Sequence, residues 1–164
     1  MAHGDPLART DELLLREAIR LSRIRMRQGR GGPFGAVVAR DGAIVARGWN
    51  AVTSSLDPTA HAEVVAIRRA CRKLGTFRLA GCVLYTSCEP CPMCLAAAYW
   101  ARLDRLVYAA SREDAARAGF DDAFIYDQVP LAPEARSLPT DRLLRAEALA
   151  VFEEWLATPD RVPY

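Results

Sequence analysis

The stretch from Ser87 to Cys94 contains the side chains best suited to chemistry, because it carries three cysteines spaced three apart. Pro92 suits the first position of a helix, where its missing N–H costs nothing. Cys91 would then be the helix N-cap, and Cys94 would lie in the first turn on the same face. The positive end of the helix dipole favours thiolates, and Cys-x-x-Cys supplies two ligands for tetrahedral zinc. We therefore predict that Cys91 and Cys94 bind zinc and that Cys88, upstream in extended chain, does not.

A further zinc ligand must come from elsewhere in the chain. There are only two histidines, and His3 lies in a terminal segment, which leaves His61. Capping signals at residues 57–59 predict that His61 and Glu63 lie in the first turn of a second helix. Three protein ligands leave one zinc position open for water, as in catalytic sites, and Glu63 could take a proton from that water. The alternative is a closed structural site with Cys88 as the fourth ligand.

The two motifs together resemble the signature of zinc-dependent base deaminases, His-x-Glu followed by Pro-Cys-x-x-Cys. From about Gly31 to its end, the chain is similar to bacterial guanine deaminases of the cytidine/deoxycytidylate (CMP/dCMP) deaminase superfamily. The resembling segments are Gly31-Gly-Pro-Phe-Gly35, Asn50, Asp57-Pro-Thr-Ala-His-Ala-Glu63, Tyr85-Thr-Ser-Cys-Glu-Pro-Cys-Pro-Met-Cys94, Tyr99-Trp-Ala101, Ala118-Gly-Phe-Asp-Asp122 and Tyr164. The resemblance implies a cytidine deaminase-like α/β fold, a three-layer α/β/α sandwich on a five-stranded mixed sheet.

The resemblance also implies a role for each matching residue and one Zn²⁺ per subunit. Glu63 would be catalytic, and Asp122 would bind ring N–H or amino groups and act as a second proton shuttle. Phe34 would pack on the purine face and Asn50 would hydrogen-bond the purine. Tyr164 would close the pocket of a partner subunit, in a homodimer that exchanges residues 158–164. Taken alone, paired aspartates after a glycine are more typical of a solvated turn, and a short tail is more typical of a frayed end.

The order of predicted elements supports this placement of the site. Asp41-Gly42 joins two strand-like runs, 36–39 and 43–49, and is typical of a hairpin. Further strands at 82–87 and 105–109 alternate with the two site helices, which predicts parallel pairing with right-handed crossovers. Both site helices would then begin at the carboxyl ends of strands, where open α/β sheets bind ligands. Other helices are expected over residues 11–28, 111–118 and 140–157.

Composition limits the class of protein. A chain of 164 residues is expected to form one domain, 1–164, and no run approaches the roughly 18 apolar residues of a membrane span. Five cysteines clustered around one motif, with no signal-peptide pattern at the start, favour the reducing cytoplasm. The net charge of +2 is too small to indicate a polyanionic partner. We interpret the arginines along the first helix as a solvated face: Arg16, Arg20, Arg23, Arg27 and Arg30.

The expected reaction is the hydrolytic deamination of guanine to xanthine and ammonia. The expected partner is a small purine, without nucleic acid or membrane. Three alternatives remain: a guanosine or cytosine-type deaminase, a tRNA adenosine deaminase, and a zinc-stabilised binding module without catalysis. The tRNA enzymes typically carry a basic C-terminal helix, whereas the last predicted helix here contains Glu147, Glu153 and Glu154.

Overall fold

The computed structural model describes residues 6–164, and side chains from Leu7 onward. His3, which was set aside as a ligand, lies outside the described residues. The chain divides into two compact units, one ending at Asp122 and the other spanning Ala123–Tyr164. No helix among the described residues combines the length and apolar character that a membrane crossing requires.

The first unit is built on a mixed sheet with the strand order β2–β1–β3–β4. β1 pairs antiparallel with β2 and with β3, whereas β3 and β4 are parallel. The strands are β1 (Gly35–Arg40), β2 (Ala43–Trp49), β3 (Cys82–Cys88) and β4 (Arg105–Ala110). The hairpin is confirmed, because both Asp41 and Gly42 have the positive φ that a tight two-residue turn requires.

The expectation of five strands is wrong, because the described residues form four. Beyond β4 the chain forms only helices and irregular segments. The later part of that region contains Pro130, Pro133 and Pro139. Proline cannot donate to a β-ladder, so these residues oppose a further central strand.

Helices cover both faces of the sheet, which gives the predicted α/β/α layers. They are α1 (Pro6–Arg27), α2 (Val52–Ser55), α3 (Ala62–Leu74), α4 (Pro92–Trp100) and α5 (Arg112–Arg117). On one face, Leu14, Ala18 and Leu21 of α1 pack with Val37, Ala39 and Tyr85. On the other, α3 and α4 pack through a cluster that includes Ala62, Ala66, Ile67, Ala70, Ala98, Ala36, Val38 and Leu84. The alternation of faces along β1 follows from the two-residue period of a strand.

Gly48 allows α3 to lie directly on β2. A Cβ at this position would be 2.1 Å from the carbonyl oxygen of Ala62 and 2.6 Å from the backbone nitrogen of Ala66. Only a residue without a side chain fits such an approach of helix to strand. The first turn of α3, which carries the predicted site residues, is therefore seated on this glycine.

The second unit contains two further helices, α6 (Ala123–Gln128) and α7 (Arg145–Ala157), with a 3-10 turn at Pro133–Ala135 between them. α7 begins five residues later than the predicted start at 140, after Leu144 with its positive φ of 54°. None of its residues is buried, although Val151, Phe152 and Trp155 have near-core spacing. An open cavity of about 450 Å³, lined by residues that include Phe124, Ile125 and Leu138, lies in the same unit.

Candidate active site

The predicted zinc ligands meet at the N-termini of two helices. His61 is the N-cap of α3, Cys91 is the N-cap of α4, and Cys94 lies in the first turn of α4. Nδ1 of His61 is 3.5 Å from the sulfur of Cys91 and 3.5 Å from that of Cys94. Bonds of about 2.3 Å to sulfur and about 2.0 Å to nitrogen in a tetrahedron separate those atoms by about 3.5 Å. The group therefore fits one zinc ion per chain.

The start of α3 corrects the predicted cap at residues 57–59. Asp57 Oδ1 instead accepts hydrogen bonds from the backbone N–H and the hydroxyl of Thr59, at 2.8 and 2.7 Å. This local turn satisfies the carboxylate, and the helix begins at Ala62. Neither His61 nor Cys91 makes a side-chain cap hydrogen bond, although both occupy N-cap positions. Their side chains are thus free of capping contacts and directed to the shared metal position.

Electrostatics around the two sulfurs favour a thiolate. The Cys94 thiol and the His61 ring lie against the Cys91 sulfur and lower the pKa of Cys91 to about 4. The hydrogen bond with Cys91 raises the pKa of His61 above its ordinary value. The same Cys91–Cys94 hydrogen bond raises the pKa of Cys94. Two helix N-termini add positive potential at this point, which favours the anionic ligands that zinc binds.

Glu63 is buried beside the ligand group, in the first turn of α3. Its Oε1 accepts a hydrogen bond from the Thr86 hydroxyl at 3.1 Å, and the Cys94 thiol donates to its Oε2 at 3.5 Å. Burial raises the pKa of Glu63, because desolvation disfavours the charged form. A carboxyl group with this environment can take up a proton and release it within the site.

Thr86 was not identified from the sequence as a site residue. The signal was present in the two-residue period of β3, which places Leu84, Thr86 and Cys88 on one face of the sheet. Leu84 belongs to the core cluster that includes α3 and α4 residues, so that face is the one towards the ligands. A buried threonine on it needs a hydrogen-bond partner, and Glu63 provides the acceptor.

Cys88 is not part of the metal group. Its thiol donates to the carbonyl oxygen of Ser111 at 3.5 Å, and burial raises its pKa to about 11. Within residues 6–164, the three-residue group that can hold a metal ion consists of His61, Cys91 and Cys94. Cys88 therefore has a partner of its own at the end of β4.

Asn50 is buried at the end of β2 with its side-chain oxygen fully occupied. Its Oδ1 accepts hydrogen bonds from the backbone N–H groups of Gly32 and Val52, at 3.2 and 3.3 Å. Ala51, the next residue, closes the loop between β2 and α3. Its N–H donates to the carbonyl oxygen of Ala60, the residue before His61, at 2.9 Å. An amide whose oxygen has two donors has only its NH₂ group left to offer. Asn50 therefore presents hydrogen-bond donors.

Phe34 and Phe120 form an aromatic pair in the first unit. Their ring centroids are 4.9 Å apart at an interplanar angle of 86°, which is an edge-to-face contact. No role was assigned to Phe120 from the sequence, although it lies within the quoted segment 118–122. Asp122 follows it, and burial together with the nearby Cys91 raises the pKa of Asp122. Asp122 is therefore close enough to the ligand group for the charge on Cys91 to affect its pKa.

Tyr164 belongs to the second unit and is 75% exposed. Its predicted role in a partner's pocket stays a prediction. The other predicted site residues all belong to the first unit.

Comparison with known proteins now defines the family. Residues 8–110 match the family described as the cytidine and deoxycytidylate deaminase zinc-binding region. The chain belongs to this family. Together with the fold and the His–Cys–Cys group, this membership makes the chain a zinc-binding deaminase.

Individual relatives extend the likeness beyond the zinc-binding region. The guanine deaminase of Bacillus subtilis (strain 168) is 54% identical over 144 residues, which cover 88% of this chain and 92% of that protein. A solved structure of guanine deaminase from Bacillus subtilis matches with a TM-score of 0.91 at 49% identity, covering 100% of this chain and 99% of that one. The tRNA-specific adenosine deaminase of Aquifex aeolicus (strain VF5) is 39% identical over 99 residues, covering 60% of this chain and 65% of that protein.

Proposed function

We propose that this chain catalyses the hydrolytic deamination of guanine to xanthine and ammonia. The observation that carries the proposal is the hydrogen bonding of Asn50, whose side chain can only donate. Guanine presents two acceptors, O6 and N7, along one edge, whereas adenine presents an amino donor in place of O6. A donor-only amide can therefore pair with both O6 and N7 of guanine, whereas in adenine it meets the N7 acceptor beside an opposed amino donor. The likeness to guanine deaminase over 88% of the chain supports the same substrate.

Each remaining residue has a role that its contacts support. His61, Cys91 and Cys94 would hold the zinc ion, which would supply Lewis-acid activation of water. The Thr86 hydroxyl holds Oε1 of Glu63, and the Cys94 proton that reaches Oε2 is lost when Cys94 binds zinc as a thiolate. Oε2 is then the oxygen available to carry two protons in turn, one from water to a purine ring nitrogen and one from the newly added hydroxyl group to the departing amine. Asp122 accepts hydrogen bonds from purine N–H groups and serves as a second proton carrier. Phe34 packs on the purine face.

The proposed partner is a small purine, not nucleic acid or membrane. The arginine face of α1 is partly neutralised on its own helix, because Arg16 lies 3.5 Å from Glu12 and Arg20 lies 2.6 Å from Glu17. Exposed pairs of this kind are typical of a solvated helix face. The free thiols fit a reducing compartment, and we propose the cytoplasm.

We further propose that residues 1–164 act as one deaminase domain within a homodimer, and that residues 158–164 are exchanged so that Tyr164 closes the partner's pocket. The second unit supports an interface, because large apolar side chains are exposed along it. Phe124 is 61% exposed, Phe152 is 64% exposed and Trp155 is 43% exposed. Several large apolar side chains exposed within one small unit favour a protein contact there.

The substrate experiment measures ammonia release from guanine, guanosine, cytosine and adenosine by the zinc-loaded protein. We expect turnover of guanine alone. Asn50→Asp is the matched variant, because its carboxylate still accepts from Gly32 and Val52 but offers no donor to the purine. It should keep zinc and lose at least about 100-fold in kcat/KM for guanine, as expected when buried polar groups are left unpaired. Equal turnover by Asn50→Asp, or faster release from another substrate, would refute the proposal.

The exchange of the tail can be tested by complementation. A full-length Glu63→Gln chain lacks the proton carrier, and a chain truncated before Asp160 lacks the tail. Each alone should be nearly inactive on guanine at equal zinc loading. If the tail acts on the partner, mixing and re-forming dimers should restore turnover, because one site then has both Glu63 and a donated tail. Absence of any recovery in dimers shown to contain both chains would mean that the tail does not act in trans.

A further inference from the structure

Two residues of the cysteine motif that are not in the metal group contact the same distant segment. Cys88 pairs in register with Ala110, and the Glu89 N–H donates to the carbonyl of Ala110 at 2.8 Å. The Cys88 thiol donates to the carbonyl of Ser111. Glu89 Oε2 accepts a hydrogen bond from the backbone N–H of Arg112 at 3.1 Å. Three consecutive residues, 110–112, are thus bound by the loop that carries the zinc ligands.

Arg112 is the first residue of α5, and its N–H is one of the four amides that a helix start leaves without an internal partner. The same turn has a capping box, in which Ser111 Oγ accepts from the Asp114 N–H and Asp114 Oδ2 accepts from the Ser111 N–H. Glu89 adds a carboxylate from another element, at the end of the helix where negative charge is stabilising. A six-residue helix is too short to be stable alone, so α5 depends on these contacts.

The segment after α5 leads directly into the purine side of the site. The chain turns at Gly119, with φ of 89°, and places Phe120 edge-on against Phe34. Asp122 follows two residues later. The position of the α5 N-terminus, together with the contact between Phe120 and Phe34, therefore helps to set where Phe120 and Asp122 lie relative to the zinc ligands.

We propose that Glu89 is a positioning residue for guanine binding, acting through its hydrogen bond to the Arg112 N–H. This hydrogen bond joins the segment that precedes the zinc ligand Cys91 to the segment that carries Phe120 and Asp122. It therefore holds the purine contacts at a fixed distance from the metal position. This inference rests on the proposed guanine activity.

The test compares KM and kcat for guanine in variants at both ends of this hydrogen bond. Glu89→Ala should raise KM about tenfold, the size expected for a net hydrogen bond to a charged group, with zinc content unchanged and kcat within about threefold. Glu89→Gln should stay near the wild type, because its side-chain oxygen still accepts. A merely structural loss would instead lower zinc content or kcat and would not raise KM alone.

Arg112→Pro probes the other end without altering the zinc loop. Proline suits the first position of a helix and lacks only the N–H, and the extended Ser111 before it is compatible with a following proline. Arg112→Ala is the matched control, because it removes the same side chain and keeps the N–H. We expect a KM about tenfold higher for Arg112→Pro than for Arg112→Ala. If Glu89→Ala fails to fold, this pair alone decides the question.

Combining the variants distinguishes the possible outcomes. Because both remove one bond, Glu89→Ala should add little to KM in the Arg112→Pro background. Full additivity, or an unchanged KM in Glu89→Ala and in Arg112→Pro, would overturn the inference while the wild type still turns over guanine. A wild type that does not deaminate guanine would instead refute the proposed function.

Discussion

Gly48→Ala should disrupt catalysis by displacing α3, and its effect can be estimated from one distance. The new Cβ would lie 2.1 Å from the carbonyl oxygen of Ala62, whereas ordinary non-bonded contacts are about 3.5 Å. The nearest atoms are backbone, so a rotamer change cannot relieve the overlap. We therefore expect the first turn of α3 to move by about 1 Å or more, after partial sharing of the strain with β2.

This shift acts on the site because Ala62 lies between His61 and Glu63. Misplacement of a catalytic group by about 1 Å can reduce turnover about 100-fold. Overpacking of this kind should also lower the free energy of unfolding by about 1–3 kcal/mol. The assay measures kcat on guanine per bound zinc, so that loss of metal is separated from misplacement, together with urea unfolding for stability.

Gly81→Ala is the control for this experiment. Gly81 has a φ of 79°, so alanine is strained there, but the nearest atom to its Cβ would be Nε of Arg40 at 3.8 Å. It should lose about 1–2 kcal/mol of stability and keep its turnover per zinc. The reasoning is refuted if Gly48→Ala loses as much stability as expected and still turns over guanine at the wild-type rate.

Three other predictions follow from the site and from α1. Glu63→Gln should keep zinc and the fold but lose more than about 10²-fold in kcat at equal zinc loading, and near-normal turnover would contradict its role in proton transfer. Cys88→Ser should retain zinc by metal analysis whereas Cys91→Ser should not, and equal loss would make Cys88 a ligand. Arg20 chiefly lowers the pKa of Glu17 from 4.5 to about 2, so this pairing stabilises the fold above pH 4.5 and is lost as the pH falls to 2. Glu17→Gln should therefore destabilise by about 1 kcal/mol at pH 7 and converge with the wild type near pH 2 in urea unfolding, and a constant gap would contradict this.

The local part of the site could be predicted because its signals lie close together in the sequence. Pro92 marks the start of α4, which places Cys91 and Cys94 on one helix turn. Asp41-Gly42 marks the hairpin that joins β1 and β2. Such features depend on the conformational preferences of one or two residues, and distant contacts do not override them.

Contacts between distant segments could not be predicted in the same way. Thr86 and Phe120 became site residues only when β3 met α3 and when the 118–122 loop met Phe34. Asp57 does accept hydrogen bonds from backbone, as a capping residue would, but its partner is Thr59 in a local turn and not the first turn of α3. In α7, the spacing of apolar residues predicted an apolar helix face, but it did not indicate whether that face packs within this chain or against another one.

The placement of His61 and Cys91 at helix N-caps has a consequence for how this sequence can change. Serine, threonine, aspartate or asparagine at such a position typically adds about 1 kcal/mol of stability over a residue that does not cap. Selection for stability alone would favour those residues at both sites and would remove two of the three zinc ligands. This chain therefore trades stability for function at positions 61 and 91, and substitutions that compensate must accumulate elsewhere in the fold.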